Sequence, residues 1–221
     1  MKFIAALFVW LYKSSKLELK IVAATLFTLL VLPLMSVVVF ANAGIALISE
    51  ALVSVNPTTQ AVEVYDPDGN VLVELELSTT WPARGYVSDE FGTNDPFRRM
   101  LGLGAHTGID IANAYGLIGD PITTFMDGTV IRVNPDDVGH CGKSVRIAHG
   151  HNIESLYCHL DSIVALESQA IVPGEVIGYM GNTGTSTGPH LHFQVEVYGI
   201  PVEPRLFVTG EPEGSLPLDE Q

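Results

Sequence analysis

From Trp81 onward the chain is a series of short runs rich in β-branched and aromatic residues, each bounded by glycine, proline, asparagine or aspartate. Runs of this length and composition are typical of strands, and no comparable stretch in the region has the period of an amphipathic helix. In chain order they are GTVIRVN, KSVRIAH, NIESLYCHL, EVIGYMG and HLHFQVEVY. The pattern predicts a mainly β, antiparallel domain over residues 81–208, in which AHGHNI forms a hairpin turn.

A long apolar run precedes this domain. No charged residue occurs from Ile21 to Ser49, and about 20 apolar residues suffice to cross a bilayer as a helix. The nearby lysines all lie before the run, so the positive-inside rule leaves the N-terminus in the cytoplasm. We therefore expect a basic cytoplasmic segment at 1–20, a transmembrane anchor at 21–48 and a body exported across the cytoplasmic membrane.

A long signal peptide is the alternative to an anchor. Ala41-Asn42-Ala43 has the small-x-small form of a signal-peptidase site, and cleavage after Ala43 would release a secreted protein. The apolar stretch before that site exceeds the usual core of about 7 to 15 residues, and apolar residues resume after it. Both features favour the uncleaved anchor.

The segments flanking the β domain have different compositions. Residues 49–80 read as a connector, in which apolar and polar residues alternate on both sides of Asp66-Pro67-Asp68-Gly69. That arrangement predicts a β-hairpin around a tight turn, which we interpret as a spacer that lifts the next domain off the membrane. The acidic, proline- and glycine-rich residues 209–221 are expected to form a flexible tail.

The distribution of charge excludes one class of partner. The chain has 11 basic and 25 acidic residues, of which four basic and one acidic precede residue 44. The remainder therefore has seven basic and 24 acidic residues, a net charge of −17. A body this acidic repels phosphate backbones and lacks the basic stripe required for nucleic-acid binding, so we do not expect nucleic acid as a partner.

All seven histidines fall between positions 106 and 192, which suggests a functional site in the β domain. His190 and His192 are two residues apart on a predicted strand, so they project from the same face. Upstream, His106 and Asp110 stand in the segment HTGID. A catalytic zinc takes three protein ligands and leaves one position open, and His106, Asp110 and one histidine of the later pair give that count.

A further histidine, His159, lies in the segment LYCHL. We expect it to share a strand face with Tyr157, where it would be available for proton transfer if zinc binds nearby.

The stretch from FGTNDPFRRM through HTGID, LYCHL and GPHLHFQVEV to PVEP resembles the lysostaphin/LytM family of zinc metalloendopeptidases over roughly 125 residues. The resemblance implies a compact antiparallel β-sandwich or barrel-like domain of the duplicated-hybrid-motif type. It implies that His106, Asp110 and His192 bind one zinc ion and that His159 and His190 are catalytic. The implied substrate is the peptide portion of bacterial peptidoglycan.

Three functions are open at this point. The resemblance favours a membrane-anchored endopeptidase that remodels the cell wall or opens it locally for an envelope-spanning machine. A latent or regulatory module that activates other wall hydrolases is the alternative, and residues 50–80 could then occupy the site. A purely structural β domain would leave the concentration of histidines unexplained.

The remaining candidate residues have ordinary structural interpretations. His149 and His151 flank the predicted hairpin turn, His140 stands in a predicted loop, and Tyr157 is expected to pack along the cleft. In an exported domain, a lone pair of cysteines forms either a disulfide or two unrelated thiols. If KSVRIAH and NIESLYCHL pair across their turn, Ser144 lies opposite Cys158, and Cys141 could reach it only if its chain loops back.

Overall fold

The computed structural model of the protein describes residues 21, 25, 47–78, 80–94, 98 and 104–214. The described residues from 47 to 214 belong to one compact unit. Residues 47–52 are helical. Among the described residues that follow are fourteen strands and one short 3₁₀ helix, Pro204–Leu206. The strands are β1 (Val53–Val55), β2 (Val62–Tyr65), β3 (Val71–Leu75), β4 (Tyr86–Asp89), β5 (Ile109–Ala112), β6 (Pro121–Thr123), β7 (Gly128–Asn134), β8 (Ser144–Ala148), β9 (Ile153–Cys158), β10 (Leu160–Ile163), β11 (Ala170–Ile171), β12 (Val176–Met180), β13 (Leu191–Val197) and β14 (Ile200–Val202).

The predicted membrane anchor at 21–48 lies outside the described residues, apart from residues 21, 25, 47 and 48. Within the part of the chain that the structure describes, no helix is long and apolar enough to cross a bilayer.

The strands form three sheets, and every pairing between strands is antiparallel. The largest has eight strands in the order β11-β7-β8-β9-β13-β5-β4, with β14 also paired to β13. The strands β10, β12 and β6 form a second sheet, and β1, β2 and β3 form a third. The predicted mainly antiparallel β architecture is therefore confirmed.

The expected barrel-like closure is wrong. Strands β11 and β4 stand at opposite ends of the large sheet, and neither pairs with the other. Strand β11 has only two residues, and the pairing of β4 with β5 is interrupted by an irregularity after Val87. Closing the large sheet into a barrel would require continuous hydrogen bonding between its two edge strands, β11 and β4. One of them is very short and the other is irregularly paired, so the described strands form an open sheet.

Strand β13 organises the large sheet. Along one edge it pairs with β9, while the other edge pairs with β5 over Leu191–Phe193 and with β14 over Val195–Val197. Successive side chains of a strand point to opposite faces. Leu191, Phe193, Val195 and Val197 are fully buried in the core, so the intervening His192 faces the other side of the sheet. The core thus fixes which face of β13 carries the polar residues.

The connector is packed against the rest of the domain. Strands β2 and β3 form the hairpin around Asp66–Gly69, and Val62 and Val64 of β2 are completely buried in the common hydrophobic core. Ser78 donates a hydrogen bond from its side chain to the carbonyl of Phe125 at 2.6 Å. The described residues of this segment therefore pack with the β domain in one folded unit, and the spacer role stays a prediction.

The beginning of the expected flexible tail is also held in place. The amide of Thr209 donates to the Ser78 carbonyl, and the amide of Gly85 donates to the carbonyl of Glu213, both at 2.9 Å. Residues 215–221 lie outside the described residues.

Candidate metal centre and catalytic groove

Three candidate ligands meet on the polar face of the large sheet. Asp110 of β5 pairs directly with His192 of β13, and His106 precedes β5 by three residues. The Nε2 atom of His106 lies 2.9 Å from Nδ1 of His192 and 3.0 Å from Oδ1 of Asp110. The third side of the triangle, from His192 Nδ1 to Asp110 Oδ1, is 2.9 Å. The structure therefore brings together the three residues that the family resemblance implied as zinc ligands.

This donor set fits a zinc ion. Zinc held tetrahedrally by nitrogen and oxygen at about 2.0–2.1 Å needs ligand atoms about 3.3 Å apart, only a few tenths of an ångström more than the observed triangle. The carbonyl of Glu90 accepts a hydrogen bond from Nδ1 of His106 at 3.0 Å, which leaves a lone pair on Nε2 in the neutral ring. Nitrogen and carboxylate oxygen are both ordinary zinc ligands, so these residues could hold the metal.

The charge state of Asp110 also suits a ligand. Burial alone would raise the pKa of Asp110, but hydrogen bonds to His106 and His192 outweigh burial and hold the pKa well below its usual range. The carboxylate is therefore ionised at neutral pH and available to a cation.

Two residues that the sequence interpretation missed support the ligands. Asp89 Oδ2 lies 3.3 Å from His106 Nδ1, and Arg98 contacts Asp89 at 2.9 Å and Asp110 at 3.7 Å. An outer carboxylate of this kind fixes the orientation of a ligating histidine. The sequence before the HTGID motif contains no spacing signal that identifies these two side chains.

Gln194 is a third supporting residue that was missed. Its Oε1 atom lies 3.4 Å from Nε2 of His192 and accepts a hydrogen bond from the Thr107 hydroxyl at 2.6 Å. Its Nε2 donates to Glu196, which in turn pairs with Arg146. The two-residue period of β13 could have identified Gln194, because positions 192, 194 and 196 share a face.

The remaining two candidate histidines stand together beside the ligands. The ring centroids of His159 and His190 are 4.7 Å apart, and Nε2 of His190 lies 3.5 Å from Oδ2 of Asp110. Nδ1 of His159 donates to the Thr183 carbonyl and Nδ1 of His190 to the Gly188 carbonyl, both at 2.8 Å. The Nε2 atom of each neutral ring is therefore left with its lone pair.

The environment favours the neutral form of His159. Burial, with a further contribution from the neighbouring His190, lowers the pKa of His159 to about 4. At neutral pH this ring carries no charge and can accept a proton or a hydrogen bond.

These five residues line an open groove of about 770 Å³. Its floor includes Leu156 and Cys158 of β9, and residues 184–190 form one wall. Among the described residues, none from 50–80 lines the groove, so the three-stranded sheet does not occupy the site in this structure.

The expected alignment of Tyr157 with His159 is wrong. Tyr157 is completely buried in the core, with its ring centroid 5.4 Å from that of Phe193. Strand β9 ends at Cys158, and His159 has a φ of 63°, in the left-handed region. The left-handed residue breaks the two-residue alternation and turns the His159 ring to the groove.

The other three histidines have different surroundings. His151 is exposed in the hairpin turn, as expected, and His140 lies at the groove rim with Nδ1 3.2 Å from the Thr185 hydroxyl. His149 faces inward, where Nε2 lies 2.7 Å from Ser155 Oγ, and burial lowers its pKa. Sequence alone placed His149 beside a turn and could not show that its ring packs against Phe125.

The cysteines form a disulfide. Strands β8 and β9 pair in the register that places Ser144 opposite Cys158, since Val145 faces Tyr157. The chain before β8 loops back so that Cys141 bonds to Cys158, with their Cα atoms 4.9 Å apart. The looped-back alternative is therefore confirmed.

Comparison with known proteins agrees with this site. Residues 104–204 match the model of peptidase family M23. The chain is 36% identical over 150 residues to the DD-carboxypeptidase/endopeptidase Mpg of Neisseria meningitidis, covering 67% of this chain and 33% of that protein. It is 34% identical over 124 residues to the murein hydrolase activator NlpD of Escherichia coli, covering 56% of this chain and 29% of that protein.

Solved structures show the same fold. A zinc-containing peptidase from Vibrio cholerae aligns with a TM-score of 0.51 at 28% identity, over 71% of this chain and 48% of that one. The antimicrobial peptidase lysostaphin from Staphylococcus simulans aligns with a TM-score of 0.50 at 24% identity, over 60% of this chain and 52% of that one.

The chain spans about a third of the length of the curated relatives that it matches. Within that span lie all five residues of the metal triangle and the histidine pair. Residues 104–204 of this chain form a domain that belongs to peptidase family M23.

Proposed function

We propose that this protein is a zinc endopeptidase that hydrolyses peptide bonds in the stem peptides or cross-links of peptidoglycan. The observation that carries the proposal is the convergence of His106, Asp110 and His192 within one groove that also presents Nε2 of His159 and His190. Similarity to a DD-carboxypeptidase/endopeptidase supports the reaction, and similarity to a murein hydrolase activator supports a cell-wall substrate.

The groove divides the chemistry between two sets of residues. His106, Asp110 and His192 would hold the zinc ion, which when bound polarises a carbonyl and lowers the pKa of a water molecule to about 7. His159 and His190 lie beside that triangle, and because Nδ1 of each ring donates to a backbone carbonyl, Nε2 is the atom of each that can accept a proton. We assign proton transfer to these two rings as a pair.

The pair accounts for both proton movements of peptide hydrolysis. As the oxygen of a water molecule bonds to the substrate carbonyl carbon, one Nε2 accepts the proton that the water loses. The protonated ring stabilises the negative charge that develops on the carbonyl oxygen. When the carbon–nitrogen bond breaks, a histidine returns the proton to the leaving amine, so the rings end in their initial state.

We further propose that the domain acts outside the cytoplasm, tethered to the inner membrane by residues 21–48 with the N-terminus in the cytoplasm. The uncharged run and the lysines that precede it support this topology. The Cys141–Cys158 disulfide is consistent with it, because disulfides persist in oxidising compartments. In that position the enzyme would remodel the wall or open it for an envelope-spanning assembly.

A regulatory module that activates other hydrolases is the second candidate, and similarity to a murein hydrolase activator favours it. The presence of all five groove residues argues for the enzyme, since an activator that does not cut has no need of a complete site.

Zinc content and cleavage of purified muropeptides distinguish the two functions. Full-length wild-type protein in detergent is expected to bind one zinc ion and to cleave muropeptides. The His192→Ala variant should lose the zinc ion, whereas the His159→Ala variant should bind zinc but leave muropeptides intact. Wild-type protein that binds zinc but leaves muropeptides intact, with no difference in His159→Ala, would refute the peptidase and support the regulatory module.

A further inference from the structure

The disulfide lies beside the histidine pair. Cys158 is the last residue of β9 and immediately precedes His159, and in the pairing of β9 with β13 it stands opposite His192. Both cysteines line the groove. The disulfide is therefore part of the wall of the proposed active site. One of its two cysteines is the residue directly before His159.

The backbone of His159 depends on the segment that carries Cys141. A φ of 63° is uncommon for a residue with a large side chain and persists only where the surroundings enforce it. The amide of His159 donates to the Cys141 carbonyl at 2.9 Å, and the amide of Leu160 donates to the Lys143 carbonyl at 3.0 Å. Residues 141–143 thus provide the hydrogen-bond acceptors on both sides of the unusual conformation.

A third segment closes on the same point. Thr183 accepts the ring hydrogen bond of His159 through its carbonyl, and its hydroxyl donates to the Leu160 carbonyl at 2.9 Å. The Thr183 hydroxyl also accepts a hydrogen bond from the Lys143 amide at 3.1 Å. The three segments 140–143, 158–160 and 183–185 therefore meet around His159, and we call them the His159 node.

Two glycines show how closely the node is packed. A Cβ atom on Gly142 would lie 2.5 Å from the amide nitrogen of Gly184, and a Cβ on Gly184 would lie 2.5 Å from that of Gly142. The backbones of residues 140–143 and 183–185 are therefore in direct contact at these glycines. A small displacement of residues 140–143 would move both His159 and the loop that leads to His190.

We propose that the Cys141–Cys158 disulfide is a positioning element for the catalytic histidine pair, because it ties residues 140–143, which belong to no strand, to the end of β9. Strand β8 begins only at Ser144, whereas Cys158 belongs to a central strand of the large sheet. The disulfide attaches residues 140–143, which precede β8, to the end of β9. His106 and Asp110 lie on the far side of β13, and His192, although it stands opposite Cys158, is held by strand pairing on both edges of β13, so we expect the metal triangle to form without this bond.

The proposal rests on the proposed function, and its first test measures turnover. The double variant Cys141→Ala/Cys158→Ala is compared with Ile153→Ala, which removes core volume at the opposite end of β9 without touching the node. At a temperature where both variants are folded, we expect the double variant to bind one zinc ion per chain and to lose about 10²-fold or more in kcat. The Ile153→Ala variant should keep its kcat despite its lower Tm.

Hydrogen exchange supplies a second test that requires no enzymatic activity. The amide of His159 should lose protection in the double variant, while amides in the middle of the β8–β9 ladder keep it. Unchanged kcat together with unchanged His159 protection would overturn the positioning role, as would an equal loss of kcat in Ile153→Ala. If wild-type protein does not cut muropeptides, the proposed function fails, and the exchange result alone decides whether the disulfide holds His159.

Discussion

His192 and Asp110 are direct partners in the pairing of β13 with β5, and their side chains meet at 2.9 Å between Nδ1 and Oδ1. The contact joins two positions that are 82 residues apart in the chain. It places a carboxylate of lowered pKa against a ring nitrogen on the polar face of the sheet. Metal affinity should therefore depend on the charge at position 110.

Asp110→Asn tests that dependence. The amide has nearly the same shape but no charge, so we expect zinc affinity to fall by more than about 100-fold, a larger effect than the 10- to 100-fold loss that removal of an outer partner produces. Competition with a chromogenic chelator measures the affinity. Asp136→Asn changes an exposed loop carboxylate and should bind zinc like wild type. Equal affinities in all three proteins would contradict the ligand assignment.

His159 and His190 should act as a unit. We expect either alanine substitution to lower kcat about 10²- to 10⁴-fold, since each removes a proton-transfer group. The double variant should be little worse than the singles, because groups that share one step have non-additive effects. Single-turnover cleavage of muropeptides measures this, with His151→Ala as the exposed control. Multiplicative losses would indicate that the two rings act independently.

Gln194→Ala should weaken zinc binding without removing a ligand. The loss of the partner that faces Nε2 of His192 is expected to lower zinc affinity about 10-fold. Glu154→Gln alters the outer end of the same polar chain, where Glu154 contacts Arg146, and should leave affinity unchanged. If the two variants lose affinity equally, the effect comes from the polar chain as a whole and not from the orientation of His192.

His149 should make the fold sensitive to acid. Burial holds its pKa below the ordinary value of about 6.5, so the unfolded chain binds a proton more readily than the folded one. Stability is complete above that value and decreases as the pH falls below it toward the lowered pKa. Chemical denaturation at several pH values should show a shallower dependence for His149→Asn than for wild type. The matched variant His151→Asn should follow wild type, and an unchanged slope in His149→Asn would contradict the assignment.

The three-stranded sheet should unfold together with the rest of the domain. Val62 is fully buried, and deleting two of its methyl groups should cost about 2 kcal/mol in the free energy of unfolding. Val71→Ala, at a half-exposed position of β3, should cost much less. A single thermal transition at lower temperature is expected for Val62→Ala. A separate early transition would instead indicate an independently folding segment.

Local sequence patterns predicted His106, Asp110 and one histidine of the later pair as metal ligands, and the family resemblance implied that this histidine is His192. Period-two alternation places His190 and His192 on one face, and HTGID brings His106 and Asp110 into one short segment. Alternation failed for His159, where a left-handed residue interrupts the strand. The supporting roles of Asp89 and Arg98 arise from contacts between segments that are distant in sequence, and so does the burial of His149. No local sequence pattern specifies such contacts.

The position of β13 also determines when the metal site can form during synthesis. The triangle needs residues 106 and 110 from the early part of the domain and residue 192 from its last long strand. Contacts this distant in sequence form late in folding. A nascent chain in which β13 has not yet been synthesised lacks one of the three ligands, so the metal site can form only after residue 192 has joined the sheet.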